Sequence, residues 1–440
     1  MPLNKLIFFL SFPGFACNLN IDNKHQDLQR RNTVIAEIRW VNEDEIPSGE
    51  GTTAIVGGMF IDVVSGEMVE NAAVIIKGNR ISQAGRADTV KIPEEAEVIN
   101  AIGLTILPGL IDAHFHLDGL AELPAAFLKN GITSVRDPGA WIEAYDGIRK
   151  SGTRIPRLFL TGPHFDMPPP AYPQNSFIVL DPYEARRGVH FFVNQGASAI
   201  KVYFRCSMGI IKSICEAANE MGIPVTAHLE ITDAREAIQA GLDGIEHITS
   251  FGTALVALDE AEKYRQAILS DNDARRMGRY KMWASIDIHN EGSDALIQLL
   301  VRHKTFVCPT LGAFEYQPEN GIVDSIKLAG FNNMVLFTGK ASQAGVAIVV
   351  GSHSWVEYAG FGWAYHREME LLSESGMTNL EILKAATIEN ARFFRVEDRL
   401  GSIEPGKQAD LILVEGNPLE DIGAMRNVKK VMLNGNWIIN

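Results

Sequence analysis

LPGLIDAHFHL, residues 107–117, leads an apolar run into two histidines spaced two apart. The run from Leu104 to His116 has strand character, and at strand period His114 and His116 point to one face. Short apolar runs recur at Gly131 to Asp137, Arg157 to Gly162, Ala199 to Tyr203, Pro224 to Leu229, Gly244 to Ile248, Thr305 to Thr310 and Val346 to Ser354. Segments such as SMGIIKSICEAANEMG and TDAREAIQAG, with apolar residues at helical spacing, lie between them. Eight strands alternating with helices predict an α/β fold, a parallel (β/α)8 TIM barrel over residues 104–395; an open doubly wound sheet is the alternative. Residues Gly252 to Ser285 exceed what one crossover needs and read as an insertion over the barrel mouth.

Outward from the barrel, TAIVGGMFIDV and AAVIIKGNRISQAG on one side and VKKVMLNGNWII on the other read as short strands between turn residues. Residues 53–103 and 396–440 are therefore expected to build one small β-sandwich from both chain ends. The apolar stretch Leu6 to Ala16 is too short to span a bilayer and fits a secretory leader over residues 1–17, with Cys17 placed as in a lipoprotein signal. Residues 18–52 read as a polar leader or tether. A secreted, periplasmic or lipid-anchored protein is expected; the alternative is a cytoplasmic chain.

The 440 residues carry 40 Lys and Arg against 54 Asp and Glu, a net charge of −14, which argues against a general nucleic-acid binder. With 46% hydrophobic and 21% charged residues the composition is globular, and four cysteines without a Cys-x-x-Cys pair exclude a disulfide scaffold. There is no phosphate loop, dinucleotide fingerprint or Gly-x-Ser-x-Gly elbow.

Chemistry gathers at the strand ends. Two imidazoles at the C-terminal end of a barrel strand suit a divalent metal, although a lone His-x-His is more often a half-buried pair. Lys201 lies inside the apolar AIKVYF, where an ammonium must find a partner, lose its charge or snorkel to solvent. A neutral lysine there can take up carbon dioxide as a metal-binding carbamate. PVTAHL and GIEHITS then end in His228 and His247, and core strands seldom close on histidine in succession.

LPGLIDAHFHL, SAIKVYF, TAHLE, GIEHITS, CPTL, HREMELL and GSIEPGKQADLILVEGNPLEDI together resemble the amidohydrolase superfamily, from about Thr53 to the end of the chain. The general look is closest to its imidazolonepropionase-like and Xaa-Pro dipeptidase-like members. The resemblance implies two divalent ions, zinc first among the candidates, with His114 and His116 on one ion, His228 and His247 on the other, and carboxylated Lys201 as the bridge. It further implies hydrolysis of the C–N bond of a small amide, cyclic amide or dipeptide-like substrate by a metal-activated hydroxide.

One position departs from the family pattern. VAIVVGSHSW puts His353 where the family has an aspartate that touches the metal and takes the proton of the attacking hydroxide. Imidazole nitrogens aim in different directions, so one ring cannot bind the ion and accept that proton. Replacing the aspartate by neutral histidine also changes the summed charge of ions, hydroxide, carbamate and side chain from +1 to +2. His353 is thus a candidate base without a metal bond, unless another group takes over or activity is lost. The alternatives are a mononuclear deaminase, which would not need Lys201, and a non-catalytic binding homologue.

Tyr203 shares strand parity with Lys201, Arg205 lies just beyond, and His164 precedes the loop DMPPPAYP; all three are candidates for substrate contact, with ordinary loop roles as the alternative. His366 is expected to cap or pack a helix. A homo-oligomer is left open.

Overall fold

The computed structural model describes residues 37–318 and 320–439; the leader 1–17, its Cys17 and residues 18–36 lie outside the described residues. The first strands in chain order are β1 (Thr52–Ile61), β2 (Met68–Lys77), β3 (Arg80–Arg86), β4 (Glu97–Asn100) and β5 (Leu104–Pro108). Next come β6 (Leu110–Asp112), β7 (Ile132–Asp137), β8 (Arg157–Leu160), β9 (His164–Asp166), β10 (Ser176–Ile178), β11 (Ile200–Val202), β12 (Val225–Ala227), β13 (Gly244–Glu246) and β14 (Phe306–Cys308). β15 (Leu411–Glu415), β16 (Val428–Leu433) and β17 (Asn436–Ile439) end the chain.

Both ends of the chain meet in one eight-stranded sheet, ordered β17-β16-β15-β5-β1-β2-β3 with β4 on β1. The expected sandwich is thus hydrogen-bonded as a single sheet, and β5 belongs to it, antiparallel to β15 from Leu104–Glu415 to Pro108–Leu411. The first apolar run therefore divides, and the sheet expected to stop at residue 103 extends to Pro108. The break falls at Gly109, where a Cβ would stand 2.2 Å from Thr133 Oγ1, so a larger residue has no room at the crossing.

The middle of the chain forms parallel strands, β6-β7-β8 in one sheet and β10-β9-β11-β12-β13-β14 in another. β11, β12 and β13 are buried throughout, as parallel strands covered on both faces must be. Helices alternate with the strands, some with a local start signal; Asp233, for example, accepts the Arg235 N–H ahead of the helix Ala234–Gln239 that follows β12. β9 and β10 occupy a stretch expected to be loop. The eighth run forms no extended strand, and only Ile348 bridges Val307. Backbone bonds still bind it on both sides: Val307 N–H to Ala347 O at 2.9 Å and Ala113 N–H to Val350 O at 3.0 Å.

The tether reading does not hold for residues 37–51. Trp40 is 3% exposed, edge-on to Phe159 and flanked by the guanidinium groups of Arg157 and Arg399. Buried Asn42 donates to Pro156 O and accepts from Leu158 N–H, both at 2.9 Å. This polar-looking segment is anchored by partners more than 100 residues away. The inserted stretch is helical, with Leu258–Ser270 and Ala274–Ser285 as its two longer helices. No described helix is long and apolar enough to cross a membrane.

Candidate metal centre

Parallel strands expose their C-terminal ends together, and that is where the histidines converge. His114 and His116 follow β6, and their Nε2 atoms are 3.0 Å apart. Two nitrogens bound to one tetrahedral zinc stand about 3.3 Å apart, so the pair fits a single ion. His228 and His247 come directly after β12 and β13. Their backbone N–H groups donate to Val202 O and Cys308 O on neighbouring strands, which fixes their register. The His247 ring lies 4.5 Å from that of His114 and 4.4 Å from that of His228. A cavity of about 370 Å³ is lined by these four histidines, His353, Lys201, Tyr203 and His164.

The donor chemistry of each ring fits an ion. His228 Nε2 lies 2.9 Å from Glu230 Oε1, while its buried Nδ1 has no hydrogen-bond partner among the described residues. His247 Nδ1 meets Thr310 Oγ1 at 2.7 Å, leaving Nε2 for the cavity. His114 Nδ1 lies 2.9 Å from Glu246 Oε2, and His116 Nδ1 is 3.6 Å from Asp137 Oδ1. In His228 and His247 one nitrogen is hydrogen-bonded and one is offered, the way orienting partners present histidine to a metal, while His114 and His116 have a carboxylate near Nδ1. Two of these rings, with a carboxylate or a third ring, form groups whose ligand atoms lie within 4.8 Å: His114, His116 and His353, and His114, Glu246 and His247.

Lys201 has found a partner. Its ammonium donates to Glu246 Oε2 with both side chains sealed from solvent. Glu246 also accepts from Thr226 Oγ1 at 2.9 Å and Arg136 at 3.3 Å. Burial, then the nearby Arg136 charge, pulls the Lys201 pKa well below the ordinary lysine range.

Burial likewise holds the imidazoles of His164, His228 and His353 down to about 3, and those of His114 and His247 well below their usual value. Neutral rings are the form that binds metal. His116 differs: burial pulls it down, but the Asp137 carboxylate more than offsets this and raises it. Burial would push Glu230 up, yet Arg279 holds it at about 2.

One part of the cavity wall is cationic, and it reaches the histidines where Arg279 lies 3.2 Å from His228 Nε2. Arg275, Arg276 and Arg279 from the inserted helix Ala274–Ser285 line it, with Tyr172 and Tyr203. Arg205 is not among the lining residues; its guanidinium is held by Asn272 Oδ1 and Ile268 O, groups at the end of the preceding inserted helix. His164 lies in β9 and meets Ser176 Oγ at 2.9 Å, and its ring leans on Tyr203 at 4.3 Å. His366 is buried on the helix Ala364–Glu374 and is not among the residues lining this cavity.

The Amidohydrolase family model matches residues 105–438, about three quarters of the chain. The chain belongs to the amidohydrolase family. It is 22% identical to an adenine deaminase of Moorella thermoacetica over 87% of its own length, but spans only 56% of that protein. It is 25% identical to ochratoxinase of Aspergillus niger, covering 92% of this chain and 88% of the relative. Among solved structures, a Xaa-Pro dipeptidase with bound methionine superposes with a TM-score of 0.68 at 24% identity, over 89% of this chain and all of the other, a likeness of fold. Family and neighbours imply a TIM-barrel fold.

Sequence reasoning missed several polar residues of this amidohydrolase site. Glu246 and Glu230 each lie next to or near a candidate ligand histidine, in GIEH and HLE, and a carboxylate at a buried strand end is a signal that could have found them. Asp137 closes its own strand in the same way. Arg275 and Arg279 had no local signal, because their place in the wall depends on how the insertion folds back.

Proposed function

We propose that this chain is a metal-dependent hydrolase of the C–N bond in a small amide or cyclic amide. The observation that carries the reading is the 3.0 Å approach of His114 Nε2 and His116 Nε2 in a cavity lined by four more histidines. A divalent ion there, zinc by preference for imidazole nitrogen, supplies Lewis-acid polarisation of a carbonyl and acidification of water. The protein's own part is positional. Glu246, Glu230 and Thr310 fix the rings of His114, His228 and His247, while Arg275 with Tyr203 offers donors to an anionic end of the substrate.

In its fuller form the reading has two ions, His114 and His116 on one, His228 and His247 on the other, with Lys201 carboxylated by carbon dioxide as the bridge. It also takes the parallel strands as one closed (β/α)8 barrel beside a sandwich curled from the end-built sheet. Supporting closure, Ser198 N–H donates to Leu160 O at 2.8 Å and Ala113 N–H to Val350 O. The leader 1–17 would carry this enzyme out of the cytoplasm, with Cys17 as its anchor.

A second reading, a single-ion deaminase, is favoured by the contact that occupies the Lys201 ammonium with Glu246 and by the deaminases among the relatives. Metal-stripped protein, reloaded with zinc or manganese, should be offered N-acyl amino acids, dipeptides, cyclic ureides and aminopurines. Release of acid and amine, with a mass increase of about 44 Da on Lys201, supports the binuclear hydrolase. Ammonia from aminopurines alone supports the deaminase. Ligand binding without turnover in every metal form overturns both.

A further inference from the structure

Strained backbone concentrates beside the histidines. His353 and Ser354 both lie in the left-handed region, at φ 57° and 62°. That conformation costs a non-glycine residue about 1–2 kcal/mol, and it persists where the surroundings over-determine it. Here they do. Asp112 Oδ1 accepts the N–H groups of both His114 and Ser352 at 2.9 Å. The His353 N–H donates to His114 O at 2.7 Å, the His116 N–H donates to Ser354 Oγ, and the Ser354 N–H donates to Ser352 Oγ at 2.8 Å. These bonds sew residues 352–354 to residues 112–116, and they do so through backbone and serine groups rather than through the His353 ring.

The result is that the backbone from which the His353 imidazole projects is held at one place. It stacks on His114 with centroids 5.4 Å and planes 12° apart, and meets His116 edge-on at 5.2 Å. One nitrogen from each of the three rings lies within 4.8 Å of the other two. Between neutral rings only one N–H can be shared along the 3.0 Å approach of His114 and His116, whereas a cation among the three accepts a lone pair from each.

We propose that His353 is a metal ligand, the third imidazole on the ion held by His114 and His116. This rests on the reading of the cavity as a metal centre. A ring that gives one nitrogen to an ion turns its other nitrogen away, so His353 bound in this way is not the acceptor of a proton from water at that ion. Three neutral ligands also leave the charge of the ion undiminished, which strengthens its pull on an anionic or carbonyl group.

The test uses the full chain and the metals themselves. Zn(II) and Co(II) affinities are measured by chelator competition for wild type, His353→Asn and His353→Ala, with the Co(II) visible spectrum as a second readout. Asparagine tolerates the left-handed backbone and is a poor ligand, so His353→Asn separates ligation from folding; melting of the metal-free proteins checks this. The expected result is a loss of affinity beyond about 100-fold, the most that losing an orienting neighbour costs, with an altered Co(II) spectrum. Free imidazole should restore the spectrum of His353→Ala. Wild-type affinity and spectrum in His353→Asn would overturn the proposal while leaving the metal reading standing. Failure of wild type to bind either ion would instead overturn the metal reading, and this proposal with it.

Discussion

Lys201 donates its ammonium proton to Glu246 Oε2, and the same carboxylate oxygen lies 2.9 Å from His114 Nδ1. One buried anion therefore serves a lysine, a candidate metal ligand and, through its other oxygen, Arg136 and Thr226. Buried charge is tolerated only when paired, so the four groups stand or fall together. The carboxylate beside the His114 ring is thus also the partner of Lys201.

Glu246→Gln should weaken Zn(II) binding by about 10–100-fold, the usual cost of losing the partner that orients a ligand histidine. Chelator competition at neutral pH measures it. Unchanged affinity would mean that Glu246 serves Lys201 and Arg136 alone.

His353→Asp should keep the ion and raise kcat by about tenfold or more, because a carboxylate has a second oxygen free to accept a proton. The measurement is turnover on whichever amide the metal-loaded wild type cleaves. A fall in kcat with metal content intact would assign His353 a role that imidazole alone performs.

Arg275 donates to Tyr172 Oη at 2.9 Å and to Asn272 O at 2.6 Å while lining the cavity. If it meets a substrate carboxylate, Arg275→Met should lower kcat/KM by about 10–100-fold, the size of a lost charged hydrogen bond. Amide-capped versions of the same substrates should change little, and an equal loss on both would reduce Arg275 to a structural role.

Much of this site was legible because its residues break a local rule. A lysine in IKV and histidines directly after VTA and GIE are polar groups where buried parallel strands otherwise carry apolar ones. The division at Gly109 was not legible, because an apolar run looks the same whether it serves one sheet or two. Trp40 and Asn42 look like part of a tether in sequence because their partners, Phe159, Pro156 and Leu158, are distant along the chain. Arg205 failed for the same reason, its guanidinium being claimed by the end of an inserted helix. Local pattern reports which residues are unusual, while long-range packing decides where their side chains end.

His366 offers a test of folding away from the metal centre. Its ring is buried beside Trp363, and neither ring nitrogen has a hydrogen-bond partner among the described residues. Burial, then the nearby Arg426 charge, holds its pKa down to about 3 against an ordinary 6.5. Between those values the unfolded chain binds a proton that the folded chain refuses, so stability rises with pH across this window and is lost as pH falls. His366→Phe keeps a planar ring and removes the titration. Below pH 6.5 the variant should gain on wild type by up to about 1.4 kcal/mol per pH unit, and above it the difference should be flat. Denaturant unfolding of the metal-free proteins at several pH values gives that difference directly, and the same offset at every pH would show that His366 titrates alike in the folded and unfolded states.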